Sequence, residues 1–407
     1  MSELVYRRRV LRHSSLLVTV SFRLTLPFLC AIFLTLVRAL GQEKVTADSN
    51  PVVVGAPAAS LAPTPISWLA WGSVFTGVGL LDNVLLSHAG EERSGFVRGG
   101  VDATAWNVKH DRFDYWASMR MSGTRYFTAR TVDHEEEAIL LTELNGRVGN
   151  LFKASIDGSA SYSHLIYDVS DTDVQQVVSE IKRSSIGLGP TIRWTFHAKW
   201  WAEVAGGERR ETYPDGLNNR SILEDALRVG WKPGTRFEAI VAGSEWHRNF
   251  DSRPQYSVNG RSLNGTVLAT IEREAELRLK AVLDNSGHWK TFTRASVTRF
   301  ADNGAGFLNY RERKVGQEIG WEAGNWLIEF EATARRLEYG LQTVGFGIYP
   351  PPRVRDAYFA RILVERKLTA HWTAYAEYTW ERNRCNDPVS SYFMNEGLLG
   401  IRWNWEK

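Results

Sequence analysis

Charged side chains recur at alternate positions in several stretches of this sequence. Glu272, Glu274 and Glu276 are separated by single residues, and so are Glu329 and Glu331. Because successive side chains of a β-strand point to opposite faces, this spacing places each group of carboxylates on one face. Such a face has to contact water, where its charges can order the water and attract ions of opposite sign.

Two sets of charged residues are predicted to share one polar surface. A basic set covers the first half of the chain, and an acidic set covers the second half. The basic set is Arg98, Arg120, Arg147, Arg193, Arg209 and Arg228, and the acidic set is Glu272, Glu274, Glu276, Glu318, Glu322, Glu329 and Glu331. If this surface lined a closed barrel, the two sets would face each other and produce a transverse field that favours polar solutes.

A second interpretation of the acidic set is structural. Basic residues interrupt it, and they can pair with the carboxylates as a network of ion pairs. The interrupting residues are Arg278, Lys280, Lys290, Arg294 and Arg335. The charge pattern alone leaves both interpretations open.

Catalytic and metal chemistry have no recognisable motif in the chain. Of the nine His residues, His13 lies in the predicted signal peptide and the other eight are spread over predicted loops and turns. None belongs to a Gly-x-Ser-x-Gly or His-Glu-x-x-His sequence. Ser159, Ser161 and Ser163 alternate as small residues of a water-filled interior do, which explains them better than nucleophilic catalysis. We therefore expect no enzymatic activity, no cofactor and no metal.

The elements that carry these residues are predicted to be β-strands. The stretch from Trp372 to Glu381 alternates apolar and polar residues without interruption, and Leu399 to Trp405 does the same. Comparable alternation begins at about Trp68 and gives about sixteen strands. Residues 271–282 are strong helix formers, but their period is two, so they are assigned to a strand as well.

The connections between the predicted strands alternate in length. Every second one is a tight turn, such as Gly324-Asn325, and the others are longer polar loops, such as Glu208 to Arg220 and Tyr339 to Arg355. Of the 16 Trp residues, 13 lie next to the short turns or at the termini on the same side, where they would form a girdle at one membrane interface. The pattern predicts an all-β transmembrane antiparallel up-and-down barrel with short periplasmic turns and long extracellular loops.

The N-terminal region is predicted to lie outside the barrel. Residues 1–41 combine several Arg residues, an apolar run and the small residues near Gly41, which is typical of a signal peptide. Residues 42–66 are rich in Ala and Pro and are expected to form a flexible lead-in, so that the barrel is assigned to residues 67–407.

The composition of residues 42–407 excludes several classes of protein. Residues 1–41 contain six Arg and one Glu, so the remaining chain has a slight negative charge and no basic surface suited to nucleic acid. Cys385 is the only Cys in that remainder, which excludes an internal disulfide and a cysteine-based metal cage.

Two stretches resemble outer-membrane β-barrel proteins of the porin type from Gram-negative bacteria. They are Gly77 to Leu85, from the first strand into the first loop, and Tyr378 to Arg384, leading into the last loop. The resemblance implies a location in the outer membrane, with its lipid and the barrel assembly machinery as partners. Such barrels usually end on an aromatic residue, whereas here Glu406 and Lys407 follow Trp405.

The expected function is a porin-like channel for polar solutes, with a link to polysaccharide export as a finer expectation. The alternative is a structural or surface-binding barrel that is plugged by its own side chains. The loop from Asp168 to Ser184 contains apolar residues and is expected to fold inward and constrict the lumen.

Overall fold

The described part of the chain consists mainly of β-strands. The computed structural model describes residues 68–88, 91–107, 113–149, 151–168, 178–345 and 347–406, so the predicted signal peptide and lead-in lie outside the described residues. The strands are β1 (Trp68–Leu81), β2 (Ser94–Asn107), β3 (Phe113–Tyr126), β4 (His134–Val148), β5 (Phe152–Asp168), β6 (Val178–His197), β7 (Trp200–Thr212), β8 (Arg220–Trp231), β9 (Phe237–Phe250), β10 (Gln255–Tyr256), β11 (Ser262–Leu263), β12 (Ala269–Val282), β13 (Trp289–Asp302), β14 (Tyr310–Ala323), β15 (Trp326–Thr343), β16 (Pro352–Lys367), β17 (Trp372–Cys385) and β18 (Tyr392–Glu406).

Sixteen of these strands form one closed antiparallel barrel, in which each strand pairs with its neighbours in sequence. The short strands β10 and β11 form a separate hairpin, so β9 pairs directly with β12. The barrel closes where β1 pairs with β18, from Trp71 opposite Glu406 to Leu81 opposite Glu396. Among the described residues, no helix is long and apolar enough to span a bilayer.

Glycine permits a close approach at the closure of the barrel. The Tyr375 ring lies across Gly400, where an added Cβ atom would be 2.4 Å from the phenol oxygen. Any side chain at this position would displace the ring, so the seam between β18 and its neighbours depends on glycine here.

The two faces of the barrel wall have opposite chemistry. The outward positions of β1 and β18 include the exposed apolar residues Val74, Val78 and Leu399, whereas the inward positions of β12 include Glu272 and Glu274. Gln317 is a polar residue on the outward face, and its side chain bonds to Thr291 and Thr293 at 2.5 and 2.7 Å. A polar group satisfied within the wall is compatible with lipid.

The predicted Trp girdle is present on the outer face beside the short turns. It consists of Trp pairs directly opposite each other on adjacent strands, and three such pairs are Trp200 with Trp231, Trp289 with Trp321, and Trp372 with Trp403. Three residues of the predicted set, Trp71, Trp106 and Trp201, instead occupy inward positions of the register. A closed barrel with an apolar outer face and such a girdle is a transmembrane barrel of the outer-membrane type.

The short connections are tight turns, as predicted. β14 and β15 are joined by Gly324 and Asn325 alone, and Gly324 has a φ of 55°, a conformation that glycine adopts without strain. The helix-forming residues 271–282 lie within β12, which confirms that the period of two outweighs helix propensity in this stretch.

Several polar stretches that the sequence assigns to loops are the outer ends of strands. β7 continues to Thr212 and β15 to Thr343, well into the predicted loops. Beyond the apolar belt the outer face contacts water or lipid headgroups, so backbone pairing continues after the alternation of apolar and polar residues has ended.

The prediction for the loop after β5 was wrong in part. Val178 to Ser184 are not in a loop, because they belong to β6 and pair with β5, as in the pairing of Ile181 with Leu165. Residues 169–177, the rest of that predicted loop, lie outside the described residues. The sequence pattern missed the register of this hairpin because its outer ends carry no alternation.

Two apolar clusters lie inside the barrel, and loop residues enter both. Val84 of the first loop packs with Phe96, Tyr126 and Leu398, and Val84 is 2% exposed. The second is built from strand and loop residues: Phe250, Tyr256, Leu268, Phe300, Leu308, Tyr310, Leu337 and Tyr339. The second cluster narrows the mouth at the end that carries the long loops, and the first extends from that end to Leu363 and Tyr375 in the half of the wall beside the short turns.

The turn between β12 and β13 depends on one carboxylate. Hydrogen bonds from the Ser286 hydroxyl and from the backbone N–H groups of Trp289 and His288 lower the pKa of Asp284 from 3.8 to about 2. The stability this carboxylate provides is therefore complete above its unfolded-state pKa and is lost as the pH falls through its folded-state pKa.

We expect Asp284→Asn to lower the urea midpoint of unfolding at pH 6 and to have little effect near pH 2. Urea titrations of both proteins in detergent micelles measure the difference. Asp215→Asn, at an exposed loop carboxylate with one backbone hydrogen bond at 3.2 Å, is the matched control. A deficit of equal size at both pH values would contradict this role of the carboxylate.

Candidate functional site: the charged interior

The strand register places all thirteen charged residues of the two predicted sets on the inward face of the wall. Arg98 on β2 is opposite Gly77, and Arg228 on β8 is opposite Glu203. Glu272, Glu274 and Glu276 alternate on β12 with the outward residues Ala275 and Leu277. All thirteen residues share the inward face. They do not form one uniformly basic wall opposite one uniformly acidic wall.

Each arginine of the basic set has an acidic partner on a nearby strand. Arg98 bonds to Glu396 at 2.6 Å across the closure of the barrel, and Arg120 bonds to Asp102 at 2.8 Å. The remaining pairs are Arg147 with Asp114 at 4.0 Å, Arg193 with Glu203 at 2.6 Å, Arg209 with Glu211 at 3.4 Å and with Glu224 at 3.7 Å, and Arg228 with Glu203 at 2.5 Å.

The acidic set is neutralised in the same way. Glu272 pairs with Arg248 at 2.8 Å, and Glu274 pairs with Arg294 at 3.1 Å. Glu276 lies between Arg278, at 2.6 Å, and Arg294. Farther along, Glu322 pairs with Lys290 at 4.0 Å and Glu331 with Arg361 at 3.5 Å, while Glu318 and Glu329 lie on the same inward face.

Of the two interpretations that the sequence left open, the geometry favours the network of ion pairs. Five of the seven carboxylates of the acidic set, Glu272, Glu274, Glu276, Glu322 and Glu331, have a cation within 4.0 Å. Because opposite charges lie on the same or neighbouring strands, the net charge of the inner wall is close to zero over that distance. Its electric field therefore acts on solutes near individual ion pairs rather than across the whole lumen.

Water reaches parts of this interior. The side chains of Arg120 and Asp102 are 32% and 33% exposed, and those of Lys290 and Glu322 are 35% and 34% exposed, although all four point inward. Lys290 and Glu322 lie at the short-turn rim, next to the girdle residues Trp289 and Trp321. Arg120 and Asp102 lie within the wall, where inward side chains keep this accessibility only beside open space. The charged network therefore borders solvent-accessible space inside the wall near Arg120 and Asp102.

Glu203 is a central residue that the sequence prediction missed. Its side chain is 7% exposed and accepts hydrogen bonds from Arg193 and Arg228, and Arg193 also stacks 4.0 Å from the Trp201 ring centroid. Alternation identifies Glu203 as inward, but only the three-strand register shows that it serves both arginines. Glu365 and Arg402, paired at 2.6 Å, were missed for the same reason.

Glu203→Gln is expected to destabilise the folded barrel by about 3 kcal/mol, because it leaves two arginines beside a buried neutral group. The free energy of unfolding from urea titration in detergent micelles measures the loss. Glu208→Gln is the matched control, since Glu208 is exposed on the outward face of the same strand. Equal stability of the two variants would show that the Glu203 pairs contribute little.

The histidines are not all separate in space, although they are scattered in sequence. His134 and His164 lie on adjacent strands with ring centroids 4.7 Å apart, and Glu136 lies beside them. One potential ligand atom from each of the three lies within 4.8 Å of the others. No sequence motif identifies this group, because its members come from two different strands.

Comparisons with known proteins find similarity in structure alone. No family model and no curated protein matches the sequence. Similar solved structures include OccAB1 of Acinetobacter baumannii, with 8% identity, TM-score 0.47, and coverage of 83% of this chain and 96% of that one. An anion-selective porin from Comamonas acidovorans has 10% identity, TM-score 0.45, and coverage of 84% and 100%. A loop-deletion mutant of the outer membrane protein OmpT of Vibrio cholerae has 12% identity, TM-score 0.45, and coverage of 83% and 99%.

Proposed function

We propose that this barrel is a water-filled channel that passes small polar solutes across the outer membrane. The observation that supports the proposal is the ion-paired interior of a sixteen-stranded closed barrel, in which the inward side chains of Arg120 and Asp102 are accessible to solvent. Sixteen strands enclose more space than their own side chains readily fill, and porins of this size conduct through that space.

The exterior mouth favours small solutes over a polymer. Val84, Leu268 and Leu308 are loop residues that are 1 or 2% exposed and pack against aromatic residues of the inner wall. A polysaccharide chain would have to displace this packing, whereas ions and small molecules need only the space beside it. Export of polysaccharide is therefore the less favoured form of the proposal.

The alternative is a plugged barrel that works through its exterior surface. The same two apolar clusters favour it, because they could close the mouth if they met across the lumen. An enzyme would need a nucleophile, a base and an orienting group at one place. The inward hydroxyls of Ser161 and Ser185 bond to each other at 2.9 Å, an arrangement that fits a polar wall.

Planar-bilayer recording of the purified protein separates the channel from the plugged barrel. We expect discrete open steps, and we expect added polyethylene glycol to reduce conductance only when it is small enough to enter. Heat-modifiable migration in gel electrophoresis shows that the recorded protein is folded. Folded protein that gives no steps would overturn the channel proposal in favour of the plugged barrel.

A further inference from the structure

We infer that His134, Glu136 and His164 form a binding site for a transition-metal ion on the outer face of the barrel, at its exterior end. His134 and Glu136 are two residues apart on β4 and share a face, and Glu136 is directly opposite His164 on β5. Leu140 and Tyr162 lie on the same face and are exposed. The site is independent of the channel, because it lies on the opposite side of the wall.

Each histidine has one ring nitrogen engaged by a carboxylate that is outside the triad. The His134 Nδ1 atom lies 2.5 Å from an Asp133 oxygen, and the His164 Nε2 atom is bonded to Glu180. This leaves His134 Nε2 and His164 Nδ1 as the ligand atoms. A carboxylate that holds the second ring nitrogen is the arrangement that fixes the tautomer and orientation of metal-binding histidines.

The donor set selects the kind of ion. Two imidazoles and one carboxylate suit Zn²⁺ and neighbouring divalent ions, and three protein ligands leave a coordination position for water or another ligand. Ligands about 2.0 Å from Zn²⁺ are roughly 3.4 Å apart, so atoms now within 4.8 Å need only a small side-chain movement. Hard cations such as Mg²⁺, which prefer oxygen ligands, should not compete.

The burial of the His164 side chain favours a role in binding over that of a solvated surface residue. Its side chain is 3% exposed although it lies on the outward face, whereas the Glu136 side chain is exposed to solvent. The ion would therefore join β4 to β5 from the outside, with the buried imidazole on one side and the accessible carboxylate on the other.

Titration of the purified barrel in detergent with ZnCl₂, followed by calorimetry, tests the site. We expect one Zn²⁺ per chain, unaffected by excess MgCl₂, and an affinity at least about tenfold weaker in Glu136→Gln and His164→Ala. His247→Ala is the matched control, because His247 is an outward residue bonded to Glu245 at 2.7 Å and belongs to no group of three potential metal ligands among the described residues. Glu136→Gln keeps the size of the side chain, so it tests the site even if His164→Ala fails to fold. Absence of Zn²⁺ binding, or equal binding by Glu136→Gln and the wild type, would overturn the inference.

A second and independent observation concerns a row of arginines on the outer face. Arg273 on β12 is directly opposite Arg299 on β13, which is directly opposite Arg311 on β14. Arg313 and Arg336 form a further opposed pair on β14 and β15. Like charges directly opposite each other destabilise a sheet, so five arginines in this arrangement need anions.

The protein supplies only part of the compensating charge. Arg273 bonds to Glu245 at 2.6 Å, and Arg336 bonds to Glu338 at 3.0 Å. Glu338 also lies 4.0 Å from Arg313 and directly opposite Arg311, so one carboxylate is shared among three arginines. Arg299 and Arg311 are exposed and lie in the middle of the row. Guanidinium groups bind phosphate through paired hydrogen bonds, so we infer that the row binds the phosphates of an anionic glycolipid in the outer leaflet.

The depth of the row fits lipid headgroups. Arg299 and Arg311 are opposite each other, and each is ten residues from its strand's girdle residue, Trp289 or Trp321. Ten residues of a strand tilted by about 40° rise roughly 25 Å, which is the height of the apolar belt. The row therefore lies at the interface opposite the Trp girdle, on the side of the long loops.

Native mass spectrometry with added lipid A tests this surface. We expect bound lipid A on the wild type, a loss of most of it in Arg299→Gln/Arg311→Gln, and no binding of dephosphorylated lipid A. Arg366→Gln is the control, because Arg366 is an exposed outward arginine at the periplasmic end. Equal loss of lipid A in the control, or equal binding of dephosphorylated lipid A, would contradict the proposal that the row of arginines binds phosphate.

Discussion

Replacing Glu272, Glu274 and Glu276 together by glutamine is expected to shift the selectivity of the channel strongly towards anions. These carboxylates now neutralise Arg248, Arg294 and Arg278, and the triple change leaves the three cations on the inner wall. A unit charge about 8 Å away in water contributes about 0.5 kcal/mol before screening. Three such charges change the cation-to-anion permeability ratio by about threefold to tenfold at moderate salt.

Reversal potentials in a KCl gradient measure this shift. Glu208→Gln removes a carboxylate from the outward face and should leave the ratio unchanged. Since the Glu276 side chain is 1% exposed, the triple change can also impair folding, so Glu272→Gln alone, at a residue 15% exposed, is a second test with a smaller shift in the same direction. If the folded variant conducts with unchanged selectivity, the protein is still a channel, but these carboxylates do not line the path of the ions.

The sequence predicts the fold well wherever one strand face contacts lipid. Alternation from Trp372 to Glu381 and the Gly324-Asn325 turn appear in the structure as predicted, because the period of two and the turn are both local properties. The ends of β6, β7 and β15 could not be predicted, because alternation is lost outside the membrane while backbone pairing continues.

The candidate sites depend on register, which a single sequence does not contain. Arg98 and Glu396 are 298 residues apart and meet only because the barrel closes between β1 and β18. In the same way, Glu136 and His164 become neighbours through the pairing of β4 with β5. Residue type and alternation can assign a side chain to a face, but neither identifies its partner on the next strand.

The inward folding of loop residues was also beyond the sequence prediction. Val84 lies in a loop of mixed polarity, and its burial depends on an aromatic surface formed by Phe96 and Tyr126 of other strands. The predicted constriction was placed after β5 because that stretch is apolar. The structure assigns Val178 to Ser184 to β6, and apolar residues of other loops line the mouth.

Replacing Ala332 by Arg is expected to destabilise the barrel by about 2 to 4 kcal/mol, because a charge at mid-depth on the lipid face cannot be hydrated. Ala332 is outward on β15 and six residues from the girdle residue Trp326, a rise of roughly 15 Å. Thr333→Arg, at the adjacent inward residue opposite Gly316, should cost much less, since its charge would lie in the hydrated interior.

Equilibrium unfolding in lipid vesicles measures both costs, and the difference between the variants is the informative quantity. Each variant adds the same side chain to the same strand, so strand propensity and net charge cancel in the comparison. A large cost for Ala332→Arg alone follows only if lipid covers one face and water the other. Equal costs would mean that the two faces contact similar surroundings, and both the transmembrane barrel and the hydrated channel would have to be abandoned together.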